Sequence, residues 1–369
     1  MIVYYSIIAW VLLMWMCFAR MSRLVYDPIV YGNKPVRLVP MSVAVITFAY
    51  MCFWLGMRTA FGDTPAYIVG FQNIQPSFDL LGGILNEQEK GFGFAFLACL
   101  FKLMVSDNFH VWIMFLSIVS CGCVMYGFRR FSPLFFFTVL IYIFSCSFAW
   151  AMNGVRQYLC VTILFACAPL LIHQKWVTLI LVTLALSTIH QTCLIMLPIF
   201  FVSHTKPWSK WMIVSVLGTL VLCSWPGLIA DSADVVLQHS DYANLSDSFG
   251  SGVNPIRTAF FSLPAVLAVI YRKRLAAMNS RVVNICINMS VITACLYCIG
   301  SVTSGIMMGR LPIYCQLYSY ILVAYIMQEA FRPGIRQIAM ISYLILFYIF
   351  FLVQSSSYYY QSSFTGRIY

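Results

Sequence analysis

Ten apolar runs, most of them close to the length that crosses a bilayer, recur along the chain with short polar stretches between them. They fall at about 2–19, 38–56, 109–127, 132–150, 157–172, 211–229, 257–271, 283–305, 311–328 and 337–353. A hydrocarbon core about 30 Å thick takes roughly 20 residues of helix. Backbone in lipid must hydrogen-bond to itself, so such runs become helices. Only 9% of the 369 residues are charged, against about a quarter in a soluble domain, which leaves no room for a substantial water-soluble part. The expected fold is all-α, a polytopic integral membrane protein of about 10–12 transmembrane helices, forming a single membrane domain over residues 1–369. Residues 2–19 lack a basic lead and a small-residue cleavage site, so they are expected to stay as the first helix.

Two further apolar segments do not fit a single crossing. Residues 92–105 are short for one, and 176–203 are long for one and short for two, so tilted, short or re-entrant helices are expected there. The stretch 132–172 needs a reversal, because 41 residues of helix at 1.5 Å each would run about 60 Å; Met152-Asn153-Gly154-Val155-Arg156 supplies it. Lysine and arginine gather at Arg20, Arg23, Lys34 and Arg37, at Lys206 and Lys210, at Arg272, Lys273, Arg274 and Arg281, and at Arg332 and Arg336. The positive-inside rule makes those loops cytoplasmic. With both odd segments returning to their own side, fifteen of the twenty-two basic residues face inward; with both crossing, fourteen do. In either arrangement 57–91 and 231–256 are outer loops and both termini face outward.

A net charge of +11 points to nucleic acid in a soluble protein. Here it sits in topogenic loops, and no nucleic-acid partner is expected. The fourteen cysteines lie in apolar runs, where a thiol behaves as a small hydrophobe. Cys295 and Cys298 have CxxC spacing without a second ligand pair, so neither a metal site nor a cofactor is expected.

Ionisable groups are costly in a membrane, about 2.5–3.5 kcal/mol near a helix centre. Arg58, Arg156, Arg257 and Arg310 stand apart from the cytoplasmic loops and call for anionic company. Guanidinium forks suit pyrophosphate oxygens; loop carboxylates and lipid headgroups are the plainer partners. The first outer loop adds Asp63, Tyr67, Glu87 and Glu89. A carboxylate there is either a general base on a sugar hydroxyl or the salt-bridge partner of Arg58. His190 lies mid-way along 176–203 and reaches an outer cavity if that segment is a hairpin.

Read in order, Arg58, Asp63-Thr64, Tyr67, Glu89-Lys90-Gly91-Phe92, Met152-Asn153 with Arg156-Gln157, His190 and Arg310 resemble the EpsG family of Wzy-type polysaccharide polymerases, most densely over residues 50–205. The resemblance implies a GT-C-like membrane glycosyltransferase of the bacterial inner membrane. It would polymerise undecaprenyl-pyrophosphate-linked repeat units of O-antigen or another surface polysaccharide at the periplasmic face. Membrane lipid and a chain-length regulator protein would be its partners. Under that reading Glu89, His190 and Asp63 are the candidate catalytic residues. Arg58, Arg156, Arg310, Tyr67, Gln157 and Asn153 are the candidate substrate-binding ones. A flippase or other transporter is the rival from a different class, and a lipid-linked glycan ligase is the rival enzyme. Acid-poor spans without visible repeats count against transport.

Overall fold

The computed structural model describes residues 2–87, 91–225, 252–305, 308–362 and 364. Most of the expected 231–256 loop lies outside them. Among the described residues, helices dominate, and the four short strands form two two-stranded antiparallel ribbons. Three helices are long and apolar enough to cross a membrane alone: Phe109–Phe131, Arg281–Val302 and Pro333–Gln354. The pair Phe135–Phe144 and Ser147–Asn153, bent by 57°, makes a fourth span if taken together. Further apolar helices of 10–17 residues complete an all-α polytopic membrane protein. Where the sequence presents one continuous polytopic stretch, contacts divide it into two compact units. One comprises Met1–Val25, Val36–Leu197 and Gln337–Tyr369; the other comprises Tyr26–Pro35 and Pro198–Arg336.

The first unit begins with α1 (Ile2–Phe18) and β1 (Arg23–Val25). A single turn, α2 (Pro28–Tyr31), belongs to the second unit; its N-terminal amides at Ile29 and Val30 donate to the Asp27 carboxylate at 3.0 and 3.2 Å. The chain returns to the first unit through β2 (Val36–Leu38), which pairs with β1, and Pro40 then starts α3 (Met41–Gly56). Strand β3 (Arg58–Ala60) pairs with β4 (Gln361–Ser362), and the Tyr360 hydroxyl donates to the Trp54 carbonyl at 2.7 Å. Next come α4 (Thr64–Asn73), α5 (Phe78–Glu87), α6 (Phe92–Met104) and the long α7 (Phe109–Phe131).

Helices α3 and α7 are antiparallel. Gly56 faces Met114, while at the far end the Arg129 Nε donates to the Val39 carbonyl at 3.2 Å. The unit thus has an Arg58 end and an Arg129 end. Helix α6 starts at Gly91, beside Arg156, and the chain leaves it for the start of α7, also at the Arg58 end. Residues 92–105 therefore begin and end at the Arg58 end of the unit. Trp112, fully buried, anchors this cap: its ring lies 5.4 Å from Phe71, 5.0 Å from Phe101 and 5.7 Å from Phe94.

The stretch 132–172 is broken more often than expected. Helix α8 (Phe135–Phe144) ends at Ser145, Cys146 takes a left-handed φ of 62°, and α9 (Ser147–Asn153) follows. The expected reversal falls at Gly154: α10 (Val155–Ala166) returns alongside α8, the Tyr158 hydroxyl donating to the Tyr142 hydroxyl at 2.8 Å. Pro169 then helps set off a short α11 (Ala168–Ile172), and α12 (Trp176–Ser187) climbs back. There the Cys160 thiol donates to the Leu186 carbonyl at 3.4 Å. The chain doubles back at 188–190, because the Cys193 thiol reaches the Thr183 carbonyl at 3.5 Å. Residue 190 therefore occupies a hairpin tip.

In the second unit, Arg281–Val302 packs against Ile313–Ala330 and Pro255–Ile270, with Phe261 stacked on Tyr297 at 4.9 Å. The buried Asn288 amide donates to the carbonyls of Ser203 and Thr205 at 2.9 and 2.7 Å. Lys34 and Glu329 form an ion pair at 2.5 Å.

One contact fixes α4 against α6. The Lys102 ammonium donates to the carbonyls of Phe71, Gln72 and Ile74 at 3.1, 2.9 and 2.6 Å, closing the C-terminus of α4. Lys102→Met removes those bonds and is expected to lose about 1–3 kcal/mol of stability. Thermal unfolding in detergent checks this: a midpoint equal to that of the wild type would deny Lys102 its capping role.

Candidate functional site

Arg58 is the first of the sequence-flagged cations, and it is only 1% exposed. Its Nε donates to the Thr64 Oγ1 at 2.9 Å. One terminal nitrogen donates to the Leu55 carbonyl and to the Ser117 Oγ at 3.3 Å, and the other donates to the Ala151 carbonyl at 3.4 Å. Leu55 and Ala151 lie in the last turns of α3 and α9, where carbonyls have no helical partner and the helix dipole is negative. A guanidinium there is held by two helix ends rather than by an acid. Burial lowers its pKa to about 10, so it stays charged at neutral pH. The expectation that Arg58 meets a ligand anion or Asp63 is therefore not what the structure shows; its donors face protein oxygens.

The Thr64 Oγ1 in turn donates to the Met152 carbonyl at 2.8 Å, and the Asp63 amide donates to the Asn153 Oδ1 at 3.1 Å. These bonds clamp the turn after β3 to the end of α9. Gly62 makes the clamp possible: its φ is +49°, and a Cβ there would stand 2.2 Å from the Asn153 Oδ1. Asn153 thus positions the Asp63 backbone. Gln157, expected beside the substrate, is buried and lies off the cavity described next.

That cavity, about 500 Å³, opens between α4, α6 and the start of α7. Asp63, Tyr67, Gly91 and Arg156 give it polar groups, and Phe71, Phe94 and Trp112 with Ala95 and Ala98 give it an apolar wall. Asp63 and Arg156 are exposed, Tyr67 is half-buried, and the Tyr67 ring meets Phe94 edge-on at 5.8 Å. Among the described residues the ion pair within 4 Å is Lys34 with Glu329, so the Asp63 carboxylate is not salt-bridged to either arginine. Gly91 has φ +76°, and a Cβ there would stand 2.9 Å from an Arg156 terminal nitrogen and 3.6 Å from the Ile189 carbonyl oxygen. The absent side chain is what leaves room for the guanidinium.

His190 sits next to Ile189 at the hairpin tip. Its Nδ1 is 2.7 Å from the Thr192 hydroxyl, and it is not among the residues lining the cavity. Glu89 lies outside the described residues. Arg310 ends a short turn, Met308–Arg310, in the second unit and is half-buried. Arg257, also in the second unit, lies over the rings of Phe261 and Tyr297 at 5.8 and 6.0 Å. Among the described residues no three His, Cys, Asp or Glu side chains gather in a way that would hold a metal ion. Sequence reasoning overlooked Lys102 and Gly62. Lys102 carries a charge inside an apolar run, the same signal that marks the arginines. Gly62 directly precedes Asp63.

A family description, the EpsG family, matches residues 41–365 of the chain. No curated protein and no solved structure matches it.

The two first-unit arginines should separate on mutation. Arg58→Ala leaves buried carbonyls and hydroxyls without a donor and is expected to lose about 2–5 kcal/mol, with little folded protein recovered. Arg156→Ala, at an exposed position, is expected to keep wild-type yield and size-exclusion behaviour. Equal yields for the two variants would contradict this division.

Proposed function

The chain belongs to the EpsG family of Wzy-type exopolysaccharide polymerases, and we propose that it joins undecaprenyl-pyrophosphate-linked repeat units at the periplasmic face of a bacterial inner membrane. The observation that carries the reading is the cavity in which Asp63 and Arg156, 93 positions apart, share a lining with an aromatic wall. A cation and an acid at the rim of an apolar cavity suit a ligand with a charged head and a lipid tail.

The chemistry follows from what each group can do. An acceptor hydroxyl gives its proton to the Asp63 carboxylate as its oxygen bonds to the anomeric carbon of the growing glycan. The bond from that carbon to the lipid pyrophosphate breaks, and its electrons leave with the phosphate oxygen. Arg156 meets the charge that develops there with a two-pronged, charge-assisted contact. Tyr67, on α4 one turn after Asp63, donates to or accepts from a sugar hydroxyl. Both reactants are held in one membrane, so no soluble nucleotide carrier is required. The salt-bridge alternative for Asp63 loses ground because its carboxylate is unpaired with either arginine.

Purified protein mixed with lipid-linked repeat units in detergent tests this. A ladder of products is expected from the wild type; a single transfer would indicate a ligase, and no product would favour transport. Arg156→Ala is expected to abolish the ladder. Asp63→Asn is expected to slow it by about 10²–10⁴-fold while lipid-linked substrate still binds. Full-length chains from Arg156→Ala would remove that residue from the site.

A further inference from the structure

A second cavity, about 690 Å³, adjoins the first and shares Gly70, Ile74 and Ala95 with it. Its volume lies within the roughly 300–1,000 Å³ that small-ligand sites occupy. The rest of its lining differs in kind. Asn73, Gln75 and Ser77 supply amide and hydroxyl groups, Leu80 and Ile84 on α5 supply an apolar strip, and among the described residues no charged side chain lines it.

Asn73 is the last residue of α4, and Gln75 lies just beyond it. Amide side chains near a helix C-terminus commonly turn back onto the free backbone groups there. Here Lys102 already holds the carbonyls of Phe71, Gln72 and Ile74. Both carboxamides are on exposed residues, and neither has a hydrogen-bond partner among the described residues. Each offers two donors and an acceptor, which is the pattern that neighbouring sugar hydroxyls satisfy. Leu80 and Ile84, four residues apart on one face of a helix, suit the C–H face of a sugar ring. The neutral amide and hydroxyl groups among its described lining residues suit uncharged sugars. Gly70 joins the two spaces: a Cβ built on it meets nothing within 4 Å, so a side chain there would project into the passage.

We infer that the second cavity is a subsite for uncharged sugar residues of the glycan whose reacting end occupies the first. Asn73 and Gln75 bind its hydroxyls, and Gly70 keeps the two spaces continuous. The inference rests on the polymerase reading, because that reading makes the ligand a glycan.

The test uses phosphate-free repeat-unit oligosaccharide, released from the lipid-linked pool of the producing cells. It is titrated into the detergent-solubilised full chain and followed by saturation-transfer NMR. The double variant Asn73→Ala, Gln75→Ala is expected to weaken binding about tenfold or more, the loss that one or two hydrogen bonds convey. Gly70→Trp, which fills the passage, is expected to do the same. Oligosaccharide binding unchanged by both the double variant and Gly70→Trp overturns the subsite. Ladder formation by the wild type reports separately on the reaction. A ladder with amide-insensitive binding removes the subsite and leaves the polymerase. Amide-dependent binding without a ladder removes the polymerase and leaves a sugar-binding cavity.

Discussion

A buried cation without a carboxylate is stable only where something else supplies negative potential. In the first unit the carbonyl ends of α3 and α9 supply it to Arg58. The guanidinium reaches the Leu55 and Ala151 carbonyls and, through Thr64, the Met152 carbonyl. Two helices remote in sequence are thereby tied end to end with the turn that follows β3. A lysine could not do this, because a single ammonium lacks the planar fork that reaches several acceptors at once. The clamp also seals polar backbone groups that would otherwise sit unpaired in an apolar interior.

Everything at the candidate site hangs from that clamp. It sets the turn at Gly62 and Asp63 against Asn153, and Arg156 lies three residues beyond Asn153. The acid and the free arginine are thus brought to one cavity by a third residue that itself stays out of it. Helix α6 and the hairpin tip at 188–190 close the other side: the Gly93 amide donates to the Thr188 carbonyl at 2.9 Å. The polar rim and the wall of Phe71, Phe94 and Trp112 thus face one another across a single cavity.

The all-α membrane fold was legible because lipid permits little else, and the apolar runs state it repeatedly. Arg58 and Arg156 were legible as unusual, since both stand apart from the basic loops. What could not be read was the difference between them. The partners of Arg58 are backbone carbonyls, which every residue possesses, so no letter of the sequence announces them. The break at Cys146 was equally hidden, because a cysteine in a left-handed conformation answers to tertiary packing and not to local preference. The break near Cys167 did carry a signal in Pro169. The aromatic wall was obscured by abundance: with aromatics at 17% of the chain, Trp112 and Phe71 look like any other belt residue.

The lysine arm between α6 and α4 has a mechanical meaning as well. Three carbonyls converging on one ammonium leave the last turn of α4 little freedom to slide or splay, so the two helices that form the walls of both cavities behave as one rigid body at that end. The width of the space between them is then held before any ligand arrives, and little ordering entropy remains to be lost when one does. A single electrostatic rivet thus works as a gauge block, setting the bore between the two helices.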